Sequence, residues 1–124
     1  MWKNQNGRLV QTADTTRVRY KTRISAALIE QLQTMAHTYD THIGYLLETG
    51  YDALLQHGHV HFDKQTRPKD RIEFRTTCDA ELLQALKTFA KQSPYNLNDV
   101  IEASIRYIDT ARVKQANWRY RIES

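Results

Sequence analysis

The chain has 124 residues and a formal net charge of +4, from 18 lysine and arginine residues against 14 aspartate and glutamate residues. A chain of this length builds one domain or two very small ones, which argues against a large enzyme with a deep cleft, and its positive charge favours an anionic partner such as nucleic acid. Its single cysteine, Cys78, excludes an internal disulfide, and no apolar run approaches the ~20 residues of a membrane-spanning helix, so we expect a soluble cytoplasmic protein with no membrane partner.

The chain begins with a polar arm and continues into a strand with two different faces. Residues 1–16 are polar enough for us to expect a disordered N-terminal arm. From residue 17 the sequence alternates with a period of two, which is typical of a β-strand. One face carries Val18, Tyr20, Thr22 and Ile24, and the other carries Arg19, Lys21 and Arg23. The pattern predicts one buried face and one exposed, basic face.

Two helices complete the first unit, which we place at 17–56. Ser25 can cap the first helix with its hydroxyl group. The apolar residues of that helix recur at helical spacing, at Leu28, Leu32, Met35 and Ala36. After a break, a second helix starts at His42, a poor cap residue, and its apolar face consists of Ile43, Leu46, Leu47, Tyr51 and Leu54.

The linker, residues 57–70, contains three histidines at alternate positions. An extended backbone directs His57, His59 and His61 to the same side, and imidazoles are common ligands of zinc, nickel and copper. Apart from Asp63, no acidic or cysteine cluster is present to complete a metal site. The alternative is a mobile polar loop, which we favour, and we therefore expect no metal or other cofactor.

Residues 71–110 form a second unit that repeats the first. Residues 17–54 align with residues 71–108 without a gap when Arg17 is placed over Arg71. The identical positions are Arg17/Arg71, Thr22/Thr76, Ala26/Ala80, Leu28/Leu82, Leu32/Leu86, Thr34/Thr88, Ala36/Ala90 and Glu48/Glu102. This similarity indicates one structural unit written twice in one chain.

The second unit has the same predicted elements as the first. Its strand directs Ile72, Phe74, Thr76 and Cys78 inward and Glu73, Arg75 and Thr77 outward. Asp79 and Asn96 are suited to cap its two helices, whose apolar residues are Leu82, Leu86, Phe89, Ala90, Leu97, Val100, Ile101, Ile105 and Ile108. Cys78 aligns with Ile24, so we interpret it as a small buried apolar residue rather than a nucleophile.

One strand and two helices are too small to fold alone, and a single strand leaves its backbone groups unpaired. We therefore predict an α+β fold, mostly α, in which the two strands form a two-stranded antiparallel ribbon on four helices. Gly50 and Ser104 occupy equivalent places in the apolar faces of the second helices, which suggests that another helix passes close to both. The tail, 111–124, is either a nucleic-acid arm or a helix end packed on the domain, and no arrangement typical of an enzyme stands out.

The repeated pattern resembles a known family. A strand with alternating polar residues, a capped helix reading L-x-x-x-L-x-x-M/F-A, a break and a second helix are similar to the ribbon-helix-helix family of bacterial, plasmid and phage DNA-binding repressors. The resemblance covers 17–54 and 71–108. The family usually forms dimers of chains with one unit each, so the resemblance implies that this chain makes the equivalent of a dimer by itself, as a monomer that can pair with a second chain on DNA.

The resemblance implies a DNA-binding surface as well as a fold. The ribbon enters the major groove of double-stranded DNA, and its outward side chains read base edges: Arg19, Lys21, Arg23, Glu73, Arg75 and Thr77. The starts of the second helices contact phosphates at His42, Ile43, Asn96 and Leu97. Two alternatives stay open: the ribbon residues form a merely solvated or aggregation-resistant charged face, and the helix starts are ordinary, with Asp99 repelling a phosphate.

Two classes of function remain after this step. The first is a sequence-specific regulator of transcription or of plasmid or phage copying, expected to act as a repressor. The second is an antitoxin or a protein antagonist that uses the same scaffold to bind another protein. The salt dependence of DNA binding separates them, because neutralising phosphates releases counterions.

Overall fold

The structure, a computed structural model, describes residues 2–5, 8–11 and 17–113. Over these residues the protein is α+β and mostly helical, as the sequence predicts. The elements in chain order are β1 (Trp2–Gln5), β2 (Arg8–Gln11), β3 (Arg17–Ser25), α1 (Ala26–Thr38), α2 (Ile43–His57), a 3-10 helix (Lys64–Thr66), β4 (Arg71–Asp79), α3 (Ala80–Gln92), α4 (Leu97–Ser104) and a second 3-10 helix (Ile105–Tyr107). No helix in the described part of the chain is long and apolar enough to cross a membrane.

The N-terminal arm contains two strands that composition did not predict. β1 and β2 pair antiparallel, with Trp2 opposite Gln11 and Gln5 opposite Arg8. The expectation of a disordered arm is therefore wrong for residues 2–5 and 8–11. The sequence between the strands, Asn-Gly, is the pair that two-residue hairpin connections favour, and this local signal is more informative than the polar composition of the arm.

β3 and β4 pair antiparallel along their whole length and form a two-stranded ribbon. Lys21 lies opposite Arg75 at its middle, and Arg17 lies opposite Asp79 at one end. The predicted antiparallel pairing of the two strands is confirmed.

The inner face of the ribbon is buried unevenly. Ile24 and Cys78 are fully buried, whereas Val18 and Ile72, which lie opposite them near the start of each strand, are 38% and 48% exposed. The interpretation of Cys78 as a buried apolar residue is confirmed, and burial raises the pKa of its thiol to about 12. The prediction that Val18 and Ile72 are buried is wrong: at each end of the ribbon the residue that leads into a first helix, Ile24 or Cys78, is covered, and the residue opposite it is left exposed.

The first helix of each unit starts at the predicted cap. The side chain of Ser25 accepts a hydrogen bond from the backbone N–H of Leu28, and the side chain of Asp79 accepts one from the N–H of Leu82. Asp70, which precedes β4, also accepts hydrogen bonds from Ser25 Oγ and from the N–H of Ala27. The start of α1 is therefore tied to the last residue of the linker, next to β4.

One hydrophobic core joins the two units. Leu32 and Leu86, which are equivalent in the repeat, are both fully buried in it together with residues of α2 and α4. In the first helices, Ile29 and Leu83 are buried, whereas Leu28 and Leu82 are only partly buried. The core face of each first helix therefore keeps the predicted Leu32 or Leu86, but its first buried residue is Ile29 or Leu83 rather than the predicted Leu28 or Leu82.

The second helices meet at Gly50 and Ser104. A Cβ atom at Gly50 would lie 2.5 Å from the carbonyl oxygen of Ser104, so the backbones of α2 and α4 approach too closely for a side chain at position 50. The prediction that a helix passes close to these two positions is confirmed. α4 ends at Ser104, and the chain continues as a 3-10 turn that carries Ile105.

Candidate nucleic-acid interface

The outer face of the β3–β4 ribbon carries most of the charges predicted to contact DNA. Its side chains are Arg19, Lys21, Arg23, Glu73, Arg75 and Thr77; Thr77 is partly buried and the others are exposed. The side chains of Lys21 and Arg75 are 64% and 73% exposed. Four cations and one carboxylate thus share a solvent-facing strip.

Glu73, the single acidic residue of this strip, lies between the two central cations. One carboxylate oxygen is 3.8 Å from Nζ of Lys21, and the other is 3.3 Å from Nε of Arg75. Because all three side chains are exposed, these contacts are weak and can rearrange. Glu73 therefore reduces the positive charge at the centre of the strip without fixing it.

The two ends of the outer face carry different chemistry. Across the ribbon, Arg19 lies opposite Thr77 and Arg23 lies opposite Glu73. At one end an arginine thus lies opposite a threonine, and at the other an arginine lies opposite a glutamate. The face is chemically directional even though the backbone of the ribbon is regular.

An uncharged hydrogen bond between two tyrosines lies under the ribbon. The hydroxyl groups of Tyr20 in β3 and Tyr51 in α2 are hydrogen-bonded to each other. Burial raises the pKa of both phenols above the usual value, so both stay uncharged at neutral pH. The contact joins the ribbon to α2 without placing a charge beneath the basic face.

Arg17 holds the end of the ribbon that contains Thr77. Its Nη2 donates to the carbonyl oxygen of Thr77 at 3.1 Å, and Nε and Nη2 donate to the hydroxyl oxygen at 3.3 and 3.1 Å. Nη1 also lies 2.5 Å from Oε1 of Glu48 in α2, and the guanidinium stacks over Tyr45, 4.9 Å from the ring centre. The hydroxyl of Thr77 therefore has a protein partner, although sequence reasoning assigned it to bases.

Arg71 makes the equivalent ion pair in the second unit. Its Nη2 is 2.6 Å from Oε1 of Glu102 and 2.9 Å from Oδ1 of Asp99. Two of the identical positions of the repeat, Arg17/Arg71 and Glu48/Glu102, thus form two buried or largely buried strand-to-helix ion pairs. The identities that looked like scattered matches in the sequence have a shared structural role.

The start of α2 lies beside β4. His42 is exposed and makes no side-chain cap hydrogen bond, in agreement with its poor cap chemistry, and Ile43 is partly buried. A Cβ atom at Gly44 would lie 2.8 Å from the carbonyl oxygen of Thr77. The predicted phosphate-contact residues of the first unit therefore adjoin the Arg19 end of the ribbon.

The start of α4 lies at the other end and is more elaborately capped. Asn96 Oδ1 accepts from the N–H of Asp99 at 2.9 Å, and Asp99 Oδ2 accepts from the N–H of Asn96 at 3.3 Å. Asn96 is exposed and Leu97 is partly buried. These predicted phosphate-contact residues adjoin the Arg23 end of the ribbon, because the next residue, Asn98, bonds to β3.

Asp99 carries a compensated charge. It is fully buried, and its carboxylate binds Arg67 and Arg71. Burial by itself raises the pKa of Asp99, but the hydrogen bonds from Arg67 and Arg71 outweigh burial and hold the pKa below its usual value. The two guanidinium groups therefore balance the charge that was expected to repel a phosphate.

The linker is anchored to the second unit rather than being a free polar loop. Phe62 packs against the ring of Tyr95, with ring centres 5.9 Å apart, and its N–H donates to the hydroxyl oxygen of Tyr95 at 3.4 Å. Arg67 binds Asp99 through two hydrogen bonds of 2.6 and 3.0 Å. Phe62 and Tyr95 are the sequence signal for this packing.

The three linker histidines do not come together as a metal site. His57 is the last residue of α2, and Gly58, with φ of 86°, turns the chain there, so the three residues do not form one extended run. The ring centres of His57 and His59 are 4.3 Å apart. Within 2–5, 8–11 and 17–113 no group of three or more His, Cys, Asp or Glu residues is placed to bind a metal ion.

The C-terminal tail is described only at its beginning. Arg112 lies 3.5 Å from Asp52 of α2. The suggestion of a nucleic-acid arm or packed helix rests mainly on residues 114–124, which lie outside the described residues.

Comparisons of the chain with protein-family models, with curated proteins and with solved structures found no match.

Proposed function

We propose that the chain is a sequence-specific regulator that binds double-stranded DNA, acting as a transcriptional repressor, and that it inserts the β3–β4 ribbon into the major groove. The observation that carries the proposal is the pairing of Lys21 with Arg75 at the centre of an exposed strip that Arg19 and Arg23 extend to both ends. The major groove is wide enough for a two-stranded ribbon, and lysine and arginine are the side chains that most often read guanine there.

The proposal includes a single-chain version of the ribbon-helix-helix dimer. Two pairs of residues that are equivalent in the repeat meet each other: Lys21 with Arg75 across the ribbon, and Gly50 with Ser104 between α2 and α4. In a symmetric dimer, equivalent residues meet where the two-fold axis passes. Both contacts therefore support an approximate two-fold axis that runs through the centre of the ribbon and the crossing of the second helices.

Phosphate contacts at the starts of α2 and α4 follow from the same arrangement. His42 and Asn96 are exposed, and each lies next to one end of the ribbon. Helix starts present free N–H groups and favour anions. A ribbon in the groove would bring one DNA strand toward each helix start, so His42, Ile43, Asn96 and Leu97 are the proposed phosphate contacts.

A DNA-binding assay with increasing salt tests the proposal. The variant Lys21→Ala/Arg75→Ala should bind a site selected from random DNA much more weakly, and binding by the unaltered protein should weaken steeply with salt. Lys87→Ala/Lys91→Ala, which removes the same charge from exposed positions of α3, is the matched control and should bind nearly as well. Unchanged binding after all six outward ribbon residues are replaced by alanine would favour the protein-antagonist function instead.

A further inference from the structure

The side chain of Asn98 connects the start of α4 to the backbone of the ribbon. Its Oδ1 accepts a hydrogen bond from the hydroxyl of Thr22 at 2.7 Å and another from the backbone N–H of Arg23 at 3.1 Å. Thr22 is buried, whereas Arg23 is exposed. One side-chain oxygen thus holds the backbone at the point where the predicted reading residue Arg23 leaves the ribbon.

This bond serves a backbone group that the ribbon leaves unpaired. In an antiparallel pair, alternate residues direct their N–H groups away from the partner strand. Arg23 lies opposite Glu73, but its N–H bonds to Asn98. Because a two-stranded ribbon has two open edges, α4 satisfies an edge group that otherwise only water would serve.

The side chain of Arg23 is held by the second unit as well. Its Nη2 donates to the carbonyl oxygen of Arg71 at 3.1 Å. Arg71 is itself fixed by Asp99 and Glu102 of α4. The backbone and the guanidinium of Arg23 are therefore both positioned by contacts that lead to α4.

The Arg19 end of the ribbon has no equivalent of the Asn98 contact among the described residues. Gly44 occupies the position equivalent to Asn98, and a Cβ atom there would lie 2.8 Å from the carbonyl oxygen of Thr77, so that position has no room for a side chain. Arg17 binds Thr77 instead, and Arg19 makes no hydrogen bond or ion pair with any residue that the structure describes. The guanidinium of Arg23 is thus positioned in advance, and that of Arg19 has no such contact among the described residues.

We infer that Asn98 is a positioning residue that fixes Arg23 for base recognition, so that the Arg23 side of the DNA site is read more strictly than the Arg19 side. The inference rests on the proposed function. A cation held in its binding geometry loses less conformational freedom on binding, and a displaced one discriminates less well between bases. Asn98 acts here through its side-chain oxygen, which is occupied by β3.

The test compares base discrimination on the two sides of a selected site. Asn98→Ala should reduce the affinity ratio between the preferred and a substituted base on the Arg23 side by about fivefold, the order of one lost hydrogen bond, and leave the ratio on the Arg19 side unchanged. Asn98→Asp keeps the accepting oxygen and should retain both ratios. The negative charge that Asn98→Asp adds should lower the affinity for all DNA sequences equally, so its effect cancels in the ratio of two affinities.

Amide hydrogen exchange provides a readout that does not depend on DNA. In Asn98→Ala the N–H of Arg23 should exchange faster while that of Arg19 is unchanged, and Asn98→Asp should restore protection. Equal losses of base discrimination on both sides, or unchanged amide exchange at Arg23, would overturn the inference about Asn98 but not the proposed DNA-binding function. Absence of DNA binding by the unaltered protein would instead overturn the proposed function, and with it any role of Asn98 in recognition.

Discussion

Arg67 and Asp99 form a two-bond ion pair that joins the linker to the start of α4. Nε of Arg67 lies 3.0 Å from Oδ1 and Nη2 lies 2.6 Å from Oδ2, and the carboxylate has no exposed surface. Arg71 binds the same carboxylate from β4. One buried charge therefore holds together three segments: the linker, the ribbon and the start of α4.

The first prediction concerns acid stability. The pKa of Asp99 is lower in the folded protein than its usual value of 3.8, so the stabilisation from its ionised form is fully present above about pH 4 and is lost as the pH falls through the folded pKa. Arg67→Gln removes the strongest of the pKa-lowering contacts and should raise that pKa. The loss of stability measured by urea unfolding should then start at a higher pH.

Glu30→Gln provides the control for this titration. Glu30 is an exposed residue of α1. Its substitution should leave the acid limb of the stability curve almost unchanged. If Arg67→Gln and the control give the same curve, the linker is not anchored through Asp99 in solution.

The second prediction concerns the crossing of α2 and α4. Gly50→Ala places a methyl group 2.5 Å from the carbonyl oxygen of Ser104, which is backbone and cannot move aside cheaply. We expect a loss of about 1–3 kcal/mol in the free energy of unfolding. Ala53→Gly, a similarly small change in the same helix, should cost about 1 kcal/mol through helix propensity alone. A stable Gly50→Ala protein would show that the helices are farther apart.

The third prediction tests the core and the repeat together. Leu32→Ala and Leu86→Ala should each cost about 2–5 kcal/mol, because both side chains are fully buried at equivalent positions. The exposed neighbours Gln31 and Gln84 serve as controls, and their replacement by alanine should change stability little. A large loss in only one of the two leucine variants would mean that the units are not packed equivalently.

The elements set by local chemistry were predictable from the sequence. Ser25 and Asp79 cap helices as expected because a side-chain oxygen at that point needs only the next turn as its partner. The meeting of Lys21 and Arg75 was also predictable, because two similar strands that pair about a central axis bring equivalent residues together there. Both inferences need only short-range rules and the repeat.

Contacts that depend on tertiary placement were not predictable in the same way. The bond from Asn98 to β3 joins residues about 75 positions apart, and its equivalent in the first unit is Gly44, so the repeat alignment gave no hint of it. The three histidines are the most conspicuous pattern in the linker, but its anchors are Phe62 and Arg67. In α1, Ile29 is buried rather than Leu28, because the helix that packs against α1 determines which of its faces is buried. Helical periodicity alone leaves the position of that face uncertain by one residue.

The fourth prediction concerns assembly. β3 and β4 pair within one chain, so the protein should be folded and helical at concentrations where it is monomeric. Circular dichroism and sedimentation over a dilution series measure this directly. A chain that loses its helices on dilution and regains them only as it dimerises would indicate exchange of units between chains. Two folded monomers can still bind side by side on DNA.

The last prediction is that the protein recognises an asymmetric DNA site. A homodimeric ribbon presents the same side chains twice and favours palindromic sites. Here the two ends of the ribbon differ, because Arg19 lies opposite Thr77 and Arg23 lies opposite Glu73. Sites selected from random DNA should therefore share a central element, contacted by Lys21 and Arg75, with different flanks.

Single substitutions at the two ends test this direction. Arg19→Ala should relax base preference on one flank and Arg23→Ala on the other, each by ~1–3 kcal/mol if the contact to guanine is bidentate. Glu73→Gln should change preference mainly at the centre of the site, because its carboxylate contacts Lys21 and Arg75. Affinity losses that are equal for all sequences would indicate that these residues contact phosphates and not bases. If the selected sites are palindromic, the two ends of the ribbon recognise DNA in the same way and the prediction of an asymmetric site is wrong.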